Sequence, residues 1–492
     1  MDHVSLLRRG KRVTAVLDAT TLDPPGLGDV DAPRPKLATG IDGLDHILDG
    51  GLLRGNSLLI EGPPGSGKST LGVRIIHEGI VRHGEPGLII AFEEFPRQIY
   101  REAASAGVDL RAHEASGMLR VLWTPPARIL EGFSGRDDLV DRIVGELGVR
   151  RLLIDSITHF KRVASSELEL REILATVLTN LKLRGVSTFL VKEMEGTGDR
   201  DIAFEEYLVD ASIRLYHDPG VDGPGDRSRM LEVRKTRGQG HLSGRHPFEL
   251  GRTAFAVYPR LRPSDVEARV GSGPLCLPRR RVPTGVPGLD AMLHGGAWSG
   301  TMVLVSGSSG SGRTALGLQF ALEGVAAGER SLVFSMKDGA EELCDRVAML
   351  PRRAADVEAG LQVIAMDPLE CSLEKAQARL LDEIVAFSPD RLVFDGLDDL
   401  RLSGLEEAAV GRQAAFLARI ASASGATVLA TEGVAGAAAG THERLANCVV
   451  RLQEAPDRPA AHGIVTVRKH ARSAHERHPR PYVIESQGLV VG

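Results

Sequence analysis

Two stretches of this chain are versions of one another. LATGIDGLDHILDGGLLRGNSLLIEGPPGSGKSTLG (Leu37 to Gly72) matches PTGVPGLDAMLHGGAWSGTMVLVSGSSGSGRTALG (Pro283 to Gly317). Thr39-Gly40 pairs with Thr284-Gly285, Gly43-Leu44-Asp45 with Gly288-Leu289-Asp290, and Gly50-Gly51 with Gly295-Gly296. The match resumes at RLLIDSI (Arg151 to Ile157) and RLVFDGL (Arg391 to Leu397). A period this long is a whole domain copied in tandem, not a solenoid unit. The 492 residues exceed what one hydrophobic core usually fills, in keeping with two domains. The boundaries expected are an extension over 1–36, rich in Pro, Gly and charge and read as mobile, a first copy over 37–260, a linker over 261–281 and a second copy over 282–492.

Each copy reads as strand, loop and helix in alternation. Ser57 to Ile60 is a short apolar strand, Thr70 to Val81 carries helical periodicity, and Leu88 to Phe92 reads as a buried strand. Arg151 to Asp155 is another strand, followed by a helix over Glu167 to Leu183 and a strand over Thr188 to Val191. Such alternation predicts an α/β fold, a mostly parallel sheet covered by helices on both faces.

Gly62-Pro63-Pro64-Gly65-Ser66-Gly67-Lys68-Ser69 satisfies GxxxxGK[ST] between a strand and a helix, the setting this phosphate loop needs. Its glycines let backbone N–H groups turn toward phosphate oxygens, and the helix N-terminus adds a favourable dipole. The candidate nucleotide-binding residues are Gly65, Ser66, Gly67, Lys68, Ser69 and Thr70. Lys68 is expected to reach the β- and γ-phosphates and Ser69 to ligate Mg²⁺, with Asp155 as the carboxylate on the metal side. A helix N-cap before Ser156-Ile157 is the lesser alternative for Asp155. Glu93-Glu94 follow a strand on the rim where open α/β sheets bind ligands, so either carboxylate could polarise a water. Solvated loop glutamates are the alternative. The segment Lys235-Thr236-Arg237-Gly238-Gln239-Gly240-His241 could contact phosphates, within a subunit or across an interface, or simply turn the chain between two terminal strands.

The lead-in ATGIDGLDHILDGGLLRG, then GPPGSGKST, AFEE, LLIDS, VKE and KTRGQGH, taken in order over residues 37–492, resemble the KaiC family of clock ATPases among the RecA-like P-loop proteins. The resemblance implies two tandem RecA-like P-loop NTPase domains that assemble into a six-membered double ring, a homohexamer with ATP held between neighbouring subunits. It implies that Glu93 and Glu94 activate water and that Ser105 lies beside the nucleotide. Lys235, Thr236, Arg237, Gln239 and His241 belong to a segment that reaches the ATP of the adjacent subunit. Glu193 also matches a position near the active site, and Glu432 is taken as its counterpart in the second copy.

The second loop, with Gly310, Ser311, Gly312, Arg313 and Thr314 as candidate binding residues, keeps the glycines but replaces the lysine by arginine. Arginine is planar and bulkier than the compact cation such a loop encloses. Lys337-Asp338 stand in place of the glutamate pair, Met349 in place of Ser105 and Ala471 in place of Arg237, while Asp395, Lys469 and His475 persist. The second copy is therefore expected to bind nucleotide weakly or to act as scaffold, and to hydrolyse poorly. Glu443 and Arg444 occupy the positions where the resemblance places phosphorylated side chains, and neither can accept phosphate that way. Thr441 leaves a shifted acceptor open. The chain stops at Gly492 without the tail by which the clock protein engages a regulator. A timekeeping role is thus disfavoured.

The leading expectation is a slow ATPase that presents a surface to a signalling partner. The alternatives are a serine/threonine autokinase, a RecA-like DNA-handling ATPase and a nucleotide-gated scaffold. Arg279-Arg280-Arg281 and the arginines between Arg468 and Arg480 offer local positive charge to DNA. A formal charge of −5, with only 4% aromatic residues and none interleaved with those arginines for base stacking, disfavours DNA. Four cysteines without a CxxC pair suggest neither a zinc site nor a disulfide framework. No leader of signal-peptide type and no apolar run of membrane-spanning length is present, so a cytoplasmic location is expected.

Overall fold

The structure is a computed structural model that describes residues 35–93, 95–129, 139–164, 166–194, 204–219, 227–251, 255–271, 280–350, 360–403, 405, 407–433, 439–454, 462–486 and 488–492. Glu94 and nearly all of the expected N-terminal extension lie outside these. The chain divides into two compact units.

In the first copy a short antiparallel pair, β1 (Lys36–Leu37) and β2 (Leu52–Leu53), precedes a nine-stranded sheet. The sheet's strands are β3 (Ser57–Gly62), β4 (Gly87–Ala91), β5 (Leu119–Trp123), β6 (Arg151–Asp155) and β7 (Ser187–Glu193). They continue with β8 (Ala211–Pro219), β9 (Arg227–Thr236), β10 (Arg245–Leu250) and β11 (Phe255–Val257). The order is β11-β10-β9-β8-β3-β7-β6-β4-β5. β3 runs parallel to both β7 and β8, and β4 parallel to both β5 and β6.

The second copy repeats this plan. β12 (Arg281–Val282) and β13 (Ala297–Trp298) form the short pair. The sheet holds β14 (Met302–Gly307), β15 (Ser331–Ser335), β16 (Leu361–Ala365), β17 (Arg391–Asp395) and β18 (Thr427–Gly433). It ends with β19 (Cys448–Glu454), β20 (Gly463–His470), β21 (Arg480–Glu485) and β22 (Gly488–Val491). The order is β16-β15-β17-β18-β14-β19-β20-β21-β22, parallel as far as β19 and antiparallel from there. Two mostly parallel α/β sheets of nine strands are the RecA-like pair that the sequence predicts.

Both faces of each sheet are buried, which is why the strands read as continuous apolar runs instead of alternating ones. In the second copy Leu332, Phe334, Leu392 and Phe394 point into one core, with the helices Leu373–Phe387 and Glu407–Ser424. Val303, Val305, Val333 and Val393 point into the other, against the helix Arg313–Ala326.

A buried arginine opens the same strand in each copy. Arg151 Nε donates to Glu85 Oε2 at 2.7 Å, and its other nitrogens donate to the Ile75 and Ala38 carbonyls at 3.1 and 2.8 Å. Arg391 Nε donates to Glu329 Oε2 at 2.5 Å and Nη1 to the Pro283 and Phe320 carbonyls at 2.7 and 2.9 Å. A charge this deep persists only when paired and fully hydrogen-bonded.

One expectation changes. Within the stretch read as a linker, Pro263–Val270 is a helix, with Val266 buried in the core of the second unit. Pro263 at its start fixes a helical φ where no N–H is needed. No helix among the described residues is long and apolar enough to cross a membrane.

Candidate functional site

β3 delivers the chain to the carboxyl edge of the first sheet, and the loop after it turns into the helix Lys68–His83. Gly65 (φ 73°) and Gly67 (φ 99°) take left-handed backbone, which glycine adopts without a steric penalty. At Gly67 a Cβ would also lie 2.9 Å from Leu250 Cδ1. No side chain caps this helix, so its first N–H groups are left to an incoming acceptor. Ser66 Oγ is buried and has no partner among the described residues. Lys68 Nζ donates to the Pro63 carbonyl at 2.9 Å, folded back on its own loop. Burial lowers the Lys68 pKa, and the carboxylates of Glu193 and Asp155 oppose that shift.

Asp155 ends β6 and accepts a hydrogen bond from the Ser69 side chain. Burial pushes its carboxyl up, against the pull of Ser69 and Lys68. Ser69, Thr70, Glu93, Asp155, His159 and Glu193 line a cavity of about 120 Å³. A hydroxyl beside a carboxylate is a hard-oxygen donor set that suits Mg²⁺. Ser69 and Asp155 are the residues that would hold it. The N-cap reading of this region belongs to the next residue, since it is Ser156 whose hydroxyl accepts from the Thr158 N–H.

Glu93 stands on this rim with Oε1 accepting from Arg162 Nη2 at 2.7 Å and lying 3.3 Å from His159 Nδ1. Its partner in sequence, Glu94, lies outside the described residues. Ser105 is exposed on the helix Pro96–Ser105 and donates to the Glu102 carbonyl, while Glu102 and Ala103 line the cavity.

The Lys235–His241 segment lies at the other edge of the sheet. Lys235 Nζ donates to the carbonyls of Glu206 and Val209, at 2.6 and 2.8 Å, and Arg237 N–H donates to that of Asp210. These residues lead into β8, whose Ala211 pairs with Leu58, whereas the phosphate loop leaves β3 at Gly62. Roughly 13 Å of strand separates the two levels. Thr236 bonds the Gln239 carbonyl and His241, and Gln239 donates to the carbonyls of Leu48 and Gly51. Arg237 is exposed and donates to the Tyr207 carbonyl. The segment thus turns between β9 and β10, and within one chain it is not brought to the loop.

The second copy has the same frame and different charges. Gly310 (φ 81°) and Gly312 (φ 89°) repeat the turn, and Ser311 Oγ is again buried without a partner among the described residues. Arg313 Nη1 lies 3.4 Å from Asp398 Oδ1. Thr314 Oγ1 donates to Asp395 Oδ2 at 2.9 Å, and Thr431 Oγ1 donates to Asp395 Oδ1 at 2.5 Å. Met349, in place of Ser105, is exposed.

The strand register corrects one expectation. Gly62 pairs with Glu193, but Gly307 pairs with Gly433, and Glu432 pairs one residue earlier with Ser306. Glu432 is therefore the counterpart of Lys192, and Glu193 has become glycine. A Cβ at Gly433 would overlap Asp398 Oδ2, so the Asp398 carboxylate fills the vacated space. The buried pair Lys192–Glu205 (2.7 Å) reappears with its signs exchanged as Glu432–His442 (2.5 Å). The Glu432 bond raises the His442 pKa.

His159 and Arg162, the partners of Glu93, escaped sequence reading, although both follow Asp155 closely in DSITHFKR.

A glycine loop between a parallel strand and a helix, with a carboxylate on a neighbouring strand end, defines a P-loop nucleotide-binding protein of the RecA-like kind, here built twice. The family described as "ATPase: KaiC" matches residues 37–262 and 282–492, and the chain belongs to that family. It is similar to the circadian clock oscillator protein KaiC of Parathermosynechococcus lividus, 29% identical over 74% of this chain and 68% of that one. The KaiC of Prochlorococcus marinus (strain MIT 9313) is 30% identical over 74% of this chain and 73% of its own length. That of Synechococcus elongatus is 29% identical over 74% and 70%.

Proposed function

We propose that the chain is a slow ATPase whose first copy hydrolyses ATP at subunit interfaces of a ring, and whose second copy grips nucleotide without cleaving it and relays its state to a signalling partner. The supporting observation is the gathering of Ser69, Asp155, Glu93 and Glu193 at one cavity, with Lys68 close enough to interact with the Asp155 and Glu193 carboxylates. The corresponding places in the second copy hold Arg313, Thr314, Asp395, Lys337 and Gly433.

In the first copy the loop N–H groups and Lys68 bind the phosphates, Lys68 leaving the Pro63 carbonyl to do so. Ser69 and Asp155 would hold Mg²⁺, which would supply positive charge against the phosphates when bound. Glu93 orients the attacking water and takes its proton, and Arg162 and His159 hold that carboxylate in place until substrate arrives. Lys235, Arg237 and His241 lie too far from their own loop to serve it and are offered to a neighbour's. A cation supplied in trans can be worth ~10³–10⁵ in rate, so turnover depends on assembly.

ATP turnover by purified full-length protein tests this. Lys68→Ala is expected to lose at least ~100-fold, since that lysine holds the charge developing on the transferred phosphoryl group. A Lys68→Ala protein that keeps more than about a tenth of the rate would remove hydrolysis from the first copy.

A further inference from the structure

The metal corner of the second loop is already filled by this chain's own groups. Both oxygens of Asp395 are taken by hydroxyls, those of Thr314 and Thr431, and Asp395 is 1% exposed. In the first copy Val191 pairs with Ile60 as Thr431 pairs with Val305, so a side chain without a donor stands where the second hydroxyl would be. Lys337 Nζ lies 3.5 Å from Thr314 Oγ1, the hydroxyl that corresponds to the expected metal ligand Ser69. Lys337 itself occupies the place of Glu93. A divalent cation would have to displace an ammonium and break two hydrogen bonds to a sealed carboxylate. The donor set that suits Mg²⁺ in the first copy does not suit it here.

The grip on phosphate, in contrast, is kept. The two left-handed glycines, the uncapped N-terminus of the helix Arg313–Ala326 and the orphaned Ser311 hydroxyl reproduce the first loop. Two cations flank it, Arg313 and Lys337.

We infer that the second copy binds a nucleoside triphosphate free of any divalent cation, the Lys337 ammonium standing where the metal ion would sit and Arg313 where the loop lysine would. This rests on the reading of the second copy as a nucleotide-gripping domain and adds how it does so. The arriving phosphates draw Arg313 from Asp398 as they draw Lys68 from the Pro63 carbonyl. Asp399, whose carboxyl burial and the neighbouring Asp398 push up to about 6, surrenders its charge more readily than an ordinary carboxylate beside an anion. With a lysine in place of the base and no metal, the bound triphosphate stays intact. The second copy therefore holds its nucleotide in buffers where the first copy is empty.

Bound ATP counted per chain by equilibrium dialysis tests this on the full-length protein. Wild type is expected to hold two nucleotides per chain with Mg²⁺, ATP or its hydrolysis product in the first copy and ATP in the second, and one ATP with EDTA. Lys68→Ala, Ser69→Ala protein should hold one in either buffer, with an affinity that changes less than about threefold. Adding Lys337→Glu should weaken that binding in EDTA by at least ~10-fold, and Lys337→Gln by less. Circular dichroism of each variant guards against misfolding. No residual site in the double variant, a residual site lost in EDTA, or an affinity indifferent to Lys337→Glu would each overturn the inference. Wild-type turnover with Mg²⁺ is read separately, so an active first copy beside an empty second would sink this inference and leave the ATPase standing.

Discussion

At His470 the second copy sets an imidazole against a guanidinium, with Arg281 Nη1 3.3 Å from His470 Nε2. Only a neutral ring can accept that bond. Burial, then Arg281, His475 and His294, hold the His470 pKa down at about 4. The unfolded chain takes up this proton near pH ~6.5 and the folded chain does not until about 4. The unfolded state thus binds more protons across that window, and stability falls as pH drops through it. His442 has the opposite sign, since its raised pKa adds stability that is lost as pH rises through the folded value. Thermal melting should show His470→Gln losing less stability than wild type between about pH 7 and about pH 5. An equal loss in both would mean that His470 does not govern the acid limb. Arg281 also donates to the Leu293 and Gly296 carbonyls, the places that Gln239 bonds in the first copy. Identical backbone needs are met by unrelated side chains, which no pattern in the sequence announces.

Among the elements, the helix behind the first phosphate loop shows where steric fit outweighs helix propensity. Gly79 faces Arg151, and a Cβ there would overlap the guanidinium Nε. Alanine is worth up to ~1 kcal/mol over glycine in a helix interior, but disturbing a buried, fully bonded charge costs roughly 3–5. Gly79→Ala should therefore lower stability by about 2 kcal/mol or more in denaturant titration, and a stabilised variant would contradict the packing. Gly324 makes the same approach to Arg391, with a Cβ 2.6 Å from Cδ.

The elements themselves were legible where apolar periodicity spoke alone. Arg151–Asp155 and Glu167–Leu183 fall where the sequence places them. The loop helix begins at Lys68, two residues before the periodic run, because left-handed Gly67 and not the apolar stripe sets its start. The strand expected over Thr188 to Val191 runs from Ser187 to Glu193, and its polar end is what hid the true partner of Glu193. The placing of the phosphate loop between a strand and a helix, and of Asp155 at a strand end, was readable because local geometry dictates it. Ion partners such as Arg162 for Glu93 were not, because they meet only after the strands are side by side.

On the scale of the whole molecule, the Lys235–His241 segment and the phosphate loop sit at opposite edges of one sheet. Subunits that each lack a different half should repair one another if the proposed ring forms. Arg237→Ala and Glu93→Gln proteins are each expected to turn over ATP slowly. Mixed and allowed to exchange, they should regain a rate well above either, because some interfaces then pair an intact Glu93 with an intact Arg237. Mixtures no faster than their average would mean that Arg237 does not serve a neighbour's phosphate loop.

The sign-exchanged pairs, Lys192–Glu205 and Glu432–His442, bear on what can be traded between the two halves. A chimaera that grafted β18 into the first copy would bury Glu432 against Glu205, two acids in place of an ion pair. The reciprocal graft would set Lys192 beside His442, two bases. The halves still share a scaffold, yet at this pair they are no longer interchangeable parts, and swapping that strand alone sets like groups together.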